Sequence, residues 1–274
     1  MSQPPHAVLV AFGATEPPVG LAGGKGETWR AGRLALKPVE FEPETLWRAD
    51  VLAALPDSPE FRIARPVRTL GGAWIAEGWE ATTIVAGDPD VSRPDDVLRA
   101  GNAFHTAIAD LSRPAFLDDR DDPWAFGDRV AWEELPARVS PGASDLLEQL
   151  VRSRRPVELE SQVVHGDLLG NVLFADGLPP AVIDWPAYWR PASWASAVAV
   201  VDALCWYGAA PELAARWSHL PEWGQMLVRA LIYRIATDDA ALGSVGWTRA
   251  QLSAYRPVVD LAVSFPGVNV LDRG

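Results

Sequence analysis

The segment 163–185, VVHGDLLGNVLFADGLPPAVIDW, limits the possible folds more than any other part of the chain. A short apolar run delivers His165, Gly166 and Asp167 into a loop, and Asn171 follows four residues after Asp167. Two further short strands are predicted at 171–174 and 181–184, and Asp176–Gly177 between them is a strong hairpin turn signal. The pattern brings two carboxylates and an amide to the ends of short strands. Such oxygen donors suit Mg²⁺, which takes one or two carboxylates and completes its shell with substrate phosphates. One carboxylate is then left to accept a proton.

The chain around this segment divides near residue 80. Before it the pattern is strand-rich with one helix. Gly20 to Gly26 form a glycine-rich turn region. Residues 33–37 (RLALK) alternate as a strand does, and 73–79 form another apolar strand candidate. Leu46, Val51, Leu52 and Leu55 share one face of a helix over 43–55, with Pro43 in its first turn. Beyond residue 80 the chain is mainly helical. Helices are predicted over 94–111 (capped by Ser92), 124–135, 144–152, 193–207, 223–242 and 248–263. The fold class is α+β: residues 1–80 make a small lobe with an antiparallel sheet, and residues 81–274 a larger, mainly helical lobe.

Composition narrows the function. The 274 residues are 49% hydrophobic and 22% charged, which is globular, and long enough to bury a sizeable core. A net charge of −12 argues against nucleic acid, whose binding relies on basic patches. The single cysteine, Cys205, excludes an internal disulfide and a cysteine-built metal site. Residues 1–10 have neither the basic nor the apolar part of a secretory signal. The apolar stretch 194–210 is interrupted by Asp202 and falls short of a spanning helix. A soluble cytoplasmic protein without a membrane partner is expected; oligomeric state is not encoded legibly. Lys25 and Lys37 are the only lysines among 24 basic residues, which draws attention to both.

The combination HGD, Asn171, hairpin and Asp184–Trp185 resembles the catalytic loop and metal-binding aspartate of aminoglycoside phosphotransferases, within the protein-kinase-like superfamily. The stretch PAYWRPASWASAVAVVDALCW after Asp184 resembles an actinobacterial subfamily of such proteins with unassigned substrates. The resemblance covers most of the chain and is strongest over 163–206. It implies a two-lobe kinase-like fold, ATP and Mg²⁺ as cofactors, and transfer of the γ-phosphate to a hydroxyl acceptor. Asp167 would be the base, His165 would brace the catalytic loop, and Asn171 and Asp184 would hold Mg²⁺. In the first lobe, Gly23, Gly24 and Gly26 would let the backbone lie close over phosphates, and Lys37 would reach them as a point charge. Glu77 and Trp79 would offer backbone groups to adenine. The acid that partners Lys37 would be Glu44, or else Glu40 or Glu42, because Arg48 stands where the helix alignment places an acid.

Three features refine this reading. Only Leu168, Leu169 and Gly170 separate Asp167 from Asn171, one fewer than in many relatives, and Gly170 can supply an unusual backbone angle. Only residues 186–192 separate Asp184 from the next helix. A protein kinase needs a longer activation segment there, so the acceptor expected is a small molecule. The run Gly20 to Lys25 lacks the spacing and the following Ser/Thr of a P-loop. The alternative to an enzyme is a nucleotide-binding pseudokinase acting as sensor or scaffold, suggested by Arg48 and the short loop. A metal-dependent hydrolase on His165, Asp167 and Asp184 is a poor match to transition-metal ligand sets. His105, in an apolar helix, reads as a buried structural histidine. Trp185, Trp189, Trp194 and Trp206 are either core or acceptor-pocket residues, and Arg190 either faces a pocket or pairs with a carboxylate.

Overall fold

The computed structural model describes residues 3–21 and 26–268. Its elements are, in order, α1 (His6–Ala11), β1 (Val19–Gly20), β2 (Trp29–Ala31), β3 (Leu34–Pro38), α2 (Glu42–Ala54), β4 (Arg62–Ile63), β5 (Ile75–Ala76), β6 (Trp79–Thr83) and β7 (Asp88–Pro89). Then follow α3 (Pro94–Ala107), a 3₁₀ turn (Ala115–Asp118), α4 (Pro123–Ala131), α5 (Ser144–Ser153), β8 (Gln162–His165), β9 (Val172–Phe174) and β10 (Ala181–Val182). The chain closes with β11 (Ala187–Arg190), α6 (Ala192–Trp206), α7 (Glu212–Arg216), α8 (Trp223–Leu242), a short 3₁₀ turn and α9 (Arg249–Ser264). Two compact units result: Met1–Pro89 with Asn171–Trp185, and Asp90–Gly170 with Pro186–Gly274. A boundary at residue 80 would cut β6; the chain instead leaves the first unit after Pro89 and returns to it as the β9–β10 hairpin.

The first unit holds an antiparallel sheet in the order β1-β2-β3-β6-β5 and a second in the order β4-β10-β9-β7, where only β4 and β10 run parallel. Strand alternation decides its faces. Leu34 and Leu36 of β3 and Trp79 and Ala81 of β6 point into a core with Val8, Phe12 and Ala31. Lys37 and Glu80 therefore fall on the other face, and the register sets them directly opposite each other. Helix α2 begins with Glu42 and Glu44 around Pro43, acids at its positive end and proline where no amide is needed.

The expected strand over 73–79 is a hairpin. Glu77 (φ 48°) and Gly78 (φ 74°) both adopt left-handed backbone, so the chain reverses and Ala76 pairs with Trp79. Two central residues with positive φ make the turn that matches strand twist. Two helix ends also move: α4 stops at Ala131 rather than at 135, and α3 at Ala107 rather than at 111. Ser92 does not cap it: its hydroxyl donates to Asp90 Oδ1 at 2.5 Å.

In the second unit α8 packs against α4, α5, α6 and α9. All residues of α6 from Ser193 to Ala203, and of α8 from Trp223 to Thr237, are buried. Helices covered all round form the centre of a helical layer. Trp194 is fully buried, with its ring 5.2 Å from Tyr233 and 5.5 Å from Tyr188. Among the described residues no helix is long and apolar enough to cross a membrane.

Candidate active site

The β9–β10 ladder places two of the expected residues together. Val172 faces Val182, and the Asn171 carbonyl accepts from the Ile183 amide at 3.0 Å. Asn171 and Asp184 thus emerge at the same end of one hairpin. Asp184 has φ 51°, a left-handed backbone that aspartate tolerates better than most side chains but still at a cost. Its carboxylate is ion-paired with Lys37 from β3. Both partners are partly exposed, 46% for Asp184 and 30% for Lys37. Trp185 beside it is buried against Trp47 of α2, ring centres 5.2 Å apart.

The acids around Lys37 are distributed differently from expectation. Glu80, opposite Lys37 in the sheet, accepts from Arg48 Nη2 at 2.7 Å. Glu44 is buried in the first turn of α2 and, with Glu80, raises the Arg48 guanidinium against the desolvation that opposes it. Helix α2 therefore presents a cation to this sheet face.

In the second unit, β8 and β11 pair antiparallel with His165 opposite Ala187, and the Gly166 amide donates to Pro186 O at 3.3 Å. This joins the point where the chain leaves the unit to the point where it returns. His165 is fully buried. Its amide donates to His105 Nε2 at 2.9 Å, and its Nδ1 accepts from the Asp167 amide at 3.1 Å. The His165 ring is thus tied to the backbone of the loop that carries Asp167. Burial pushes His105 down to about 3, so it is a neutral acceptor. Gly166 must be glycine: a Cβ there would lie 2.3 Å from the Tyr188 ring. Gly170, with φ 91°, does supply the unusual angle in the shortened loop.

Asp167 remains 45% exposed, and its Oδ1 accepts from Arg234 Nη2 at 2.9 Å. Arg234, on α8, is buried and grips Asp202 of α6, with Nε on Oδ1 at 2.8 Å and Nη2 on Oδ2. Burial pushes the Asp202 carboxyl up to about 6 in spite of the guanidinium. Taking two ions out of water costs several kcal/mol each, and a well-packed apolar pair is often about 1–4 kcal/mol more stable than a buried ion pair. Stability alone does not explain this pair. Neither residue was expected at the site, though each was visible as one ion inside an apolar helix: Asp202 in AVAVVDALC and Arg234 in LIYRIA.

Other expected residues lie as follows. Gly23 and Gly24 fall outside the described residues; Gly26, with φ 69°, lies just before β2. Glu77 sits in the β5–β6 turn and Trp79 at the start of β6, buried and paired on both sides. They are at the start of β6, and the chain leaves its other end through residues 84–89. Gly87 there passes so close to β9 that a Cβ would meet the Phe174 carbonyl oxygen at 2.7 Å. Arg190 pairs with carboxylates, taking both oxygens of Asp128 at 2.8 and 2.7 Å and Glu134 at 2.7 Å. Trp185 and Trp194 are core, whereas Trp206 is 43% exposed.

Among the described residues no three His, Cys, Asp or Glu side chains gather as a metal site of their own. His165, buried with Nδ1 on the Asp167 amide, does not suit the hydrolase set. Asn171 and Asp184 do fit Mg²⁺, which needs few protein oxygens when phosphates supply the rest.

No protein-family model and no curated protein sequence matches the chain. Solved structures do. A thermostable mutant of aminoglycoside phosphotransferase APH(4)-Ia, in a ternary complex with ADP and hygromycin B, superposes with a TM-score of 0.60 at 15% identity, over 94% of this chain and 97% of that one. Choline kinase LicA from Streptococcus pneumoniae gives 0.57 at 10% identity, over 92% and 95%. A fructosamine-3-kinase-like protein from Haemophilus somnus 129PT gives 0.51 at 14%, over 93% and 95%. At these identities the likeness is one of fold, and that fold, an α+β arrangement with an antiparallel sheet and a helical region, is the protein-kinase-like fold of the aminoglycoside phosphotransferases.

Proposed function

We propose that the chain is a small-molecule kinase that moves the γ-phosphoryl group of ATP to a hydroxyl of its acceptor. The observation that carries this is the hairpin end where Asn171 and Asp184 emerge together and Asp184 is ion-paired with Lys37. In this reading Asn171 and Asp184 hold Mg²⁺, which would neutralise phosphate oxygens. Lys37 trades Asp184 for a phosphate oxygen when nucleotide arrives. Asp167, half exposed, takes the acceptor proton on a carboxylate oxygen, and His165 fixes the loop that carries it. Such a division of labour suits phosphoryl transfer, which depends on positioning and charge neutralisation more than on covalent help. Gly26, with Gly23 and Gly24, would cover the phosphates, and backbone groups of residues 84–89 would meet the base. The 15-residue helix α6 begins at Ala192, so the segment after Asp184 holds β11 and little else, which favours a small acceptor over a peptide.

The test is thermal unfolding with Mg²⁺ alone and with Mg²⁺-ATP. A ligand at about a hundred times its dissociation constant adds roughly 2.7 kcal/mol. We expect a rise that needs both metal and nucleotide and that disappears in Asp184→Ala. No rise at millimolar ATP would remove the reading. A nucleotide-binding pseudokinase is the second reading, favoured by one observation: α2 offers Arg48, bound to Glu80, where an acid for Lys37 was expected. ADP formation by the wild-type protein, lost in Asp184→Ala, would exclude it.

A further inference from the structure

We propose that Arg234, held by Asp202, is a positioning residue that fixes the orientation of Asp167; this rests on the reading of Asp167 as the base. The geometry is directional. Asp202 holds the guanidinium by Nε and Nη2, and that same Nη2 reaches Asp167 Oδ1 at 2.9 Å. A guanidinium pinned by two contacts is a rigid donor, so the Asp167 oxygen it holds is placed to within a narrow range. The side chains of Arg234 and Asp202 are 7% and 4% exposed, whereas that of Asp167 is 45% exposed. The order is thus a buried acid, a buried cation and a solvent-facing base.

The charges explain why both partners are needed. A cation alone beside Asp167 would orient it but strip its affinity for a proton. Asp202 returns the negative charge, so the base is oriented by one half of a neutral pair. The other titratable groups facing the pair are Tyr233 and Asp238 of α8, Cys205 of α6 and Tyr255, which donates to Asp238 at 2.7 Å from α9. Burial pushes the two tyrosines and the cysteine upward, so they stay neutral through the acid range. Asp202 and Asp238 are both raised by burial.

The experiment is carboxylate ¹³C NMR of the full chain with labelled aspartate at one fixed pH, the Asp167 signal being identified by its absence in Asp167→Asn, together with ADP formation from Mg²⁺-ATP. In Arg234→Gln/Asp202→Asn the Asp167 signal is expected to move, because its oxygen loses the guanidinium, while ADP formation drops about tenfold with KM for ATP unchanged. Arg234→Lys, which keeps the charge but not the fork, should restore ADP formation only in part. An Asp167 signal and an ADP rate both unmoved in the folded double variant would overturn the proposal; where that variant does not fold, Arg234→Lys decides by the same two readings. The base reading fails on a different result, retained transfer in Asp167→Asn, so the two are separable.

Discussion

Asp167 and Gly166 show how closely the loop after β8 is specified. If Asp167 only accepts the acceptor proton, Asp167→Asn should keep the Mg²⁺-ATP thermal rise and abolish transfer; equal loss of both would move Asp167 into nucleotide binding. The glycine before it has no slack. A Cβ at Gly166 would lie 2.3 and 2.4 Å from two carbons of the Tyr188 ring, and that ring is held by Trp194 and by Tyr233, whose hydroxyl is 3.0 Å from its own. Gly166→Ala is therefore expected to cost about 1–3 kcal/mol, the usual penalty for overpacking, read from the urea midpoint at unchanged slope. Asn171 and Asp184 were legible as neighbours because one short hairpin carries them both. Arg234 and Asp202 were not, because their partnership spans 32 residues and two helices and only packing reveals it.

At the scale of elements, the long helices followed their patterns. Helix α8 runs over the expected residues, and α9 starts at Arg249 behind a capping box made by Thr248 and Gln251. The short strands β7 and β11 were missed because two to four residues give no period to read. The β5–β6 hairpin was missed because its turn uses Glu77, a residue that rarely takes positive φ. That turn makes a prediction. Glu77→Gly removes the left-handed cost and should stabilise the chain by about 0.5–1 kcal/mol after the entropy of glycine is counted, seen as a higher urea midpoint. A second prediction concerns the contact of α3 with β8. His105 accepts from the His165 amide and is held neutral down to about pH 3 by burial, whereas in the unfolded chain it protonates near its ordinary value of about 6.5. The unfolded state binds the extra proton between those values, so stability falls as pH drops through that window, by roughly 1.4 kcal/mol per pH unit for this group. Stability against pH should show this slope in wild type, and it should be shallower by one proton in a folded His105→Gln.

For the whole molecule, the sequence showed a strand-rich part and a helical part but not how the chain divides between them. The reason is that β10 pairs parallel with β4 and β9 pairs with β7, contacts that join residues more than eighty positions apart. Composition along the chain cannot display such pairing, so a cut near residue 80 looked natural while the hairpin 171–185 was counted with the helical part. The consequence is that the first unit is not a continuous piece of chain. Arg62 makes this concrete: its amide donates to Pro180 O at 2.8 Å and its Nε to Pro179 O at 2.7 Å, so a strand near the start depends on a loop far downstream. A fragment of residues 1–89 would lack the two middle strands of the sheet β4-β10-β9-β7, leaving the two-residue strands β4 and β7 without any partner. Isolated strands of that length have no stability of their own. The fragment 90–274 would carry β9 and β10 with no neighbours on either edge. We therefore expect neither fragment to show a cooperative thermal transition or dispersed amide NMR signals alone. A fragment of residues 1–89 to which residues 171–185 are rejoined through a flexible linker should recover both, because every strand of the first unit is then present. If residues 1–89 fold cooperatively without the hairpin, the β4–β10 and β7–β9 pairings are dispensable and the first unit is the five-stranded sheet alone.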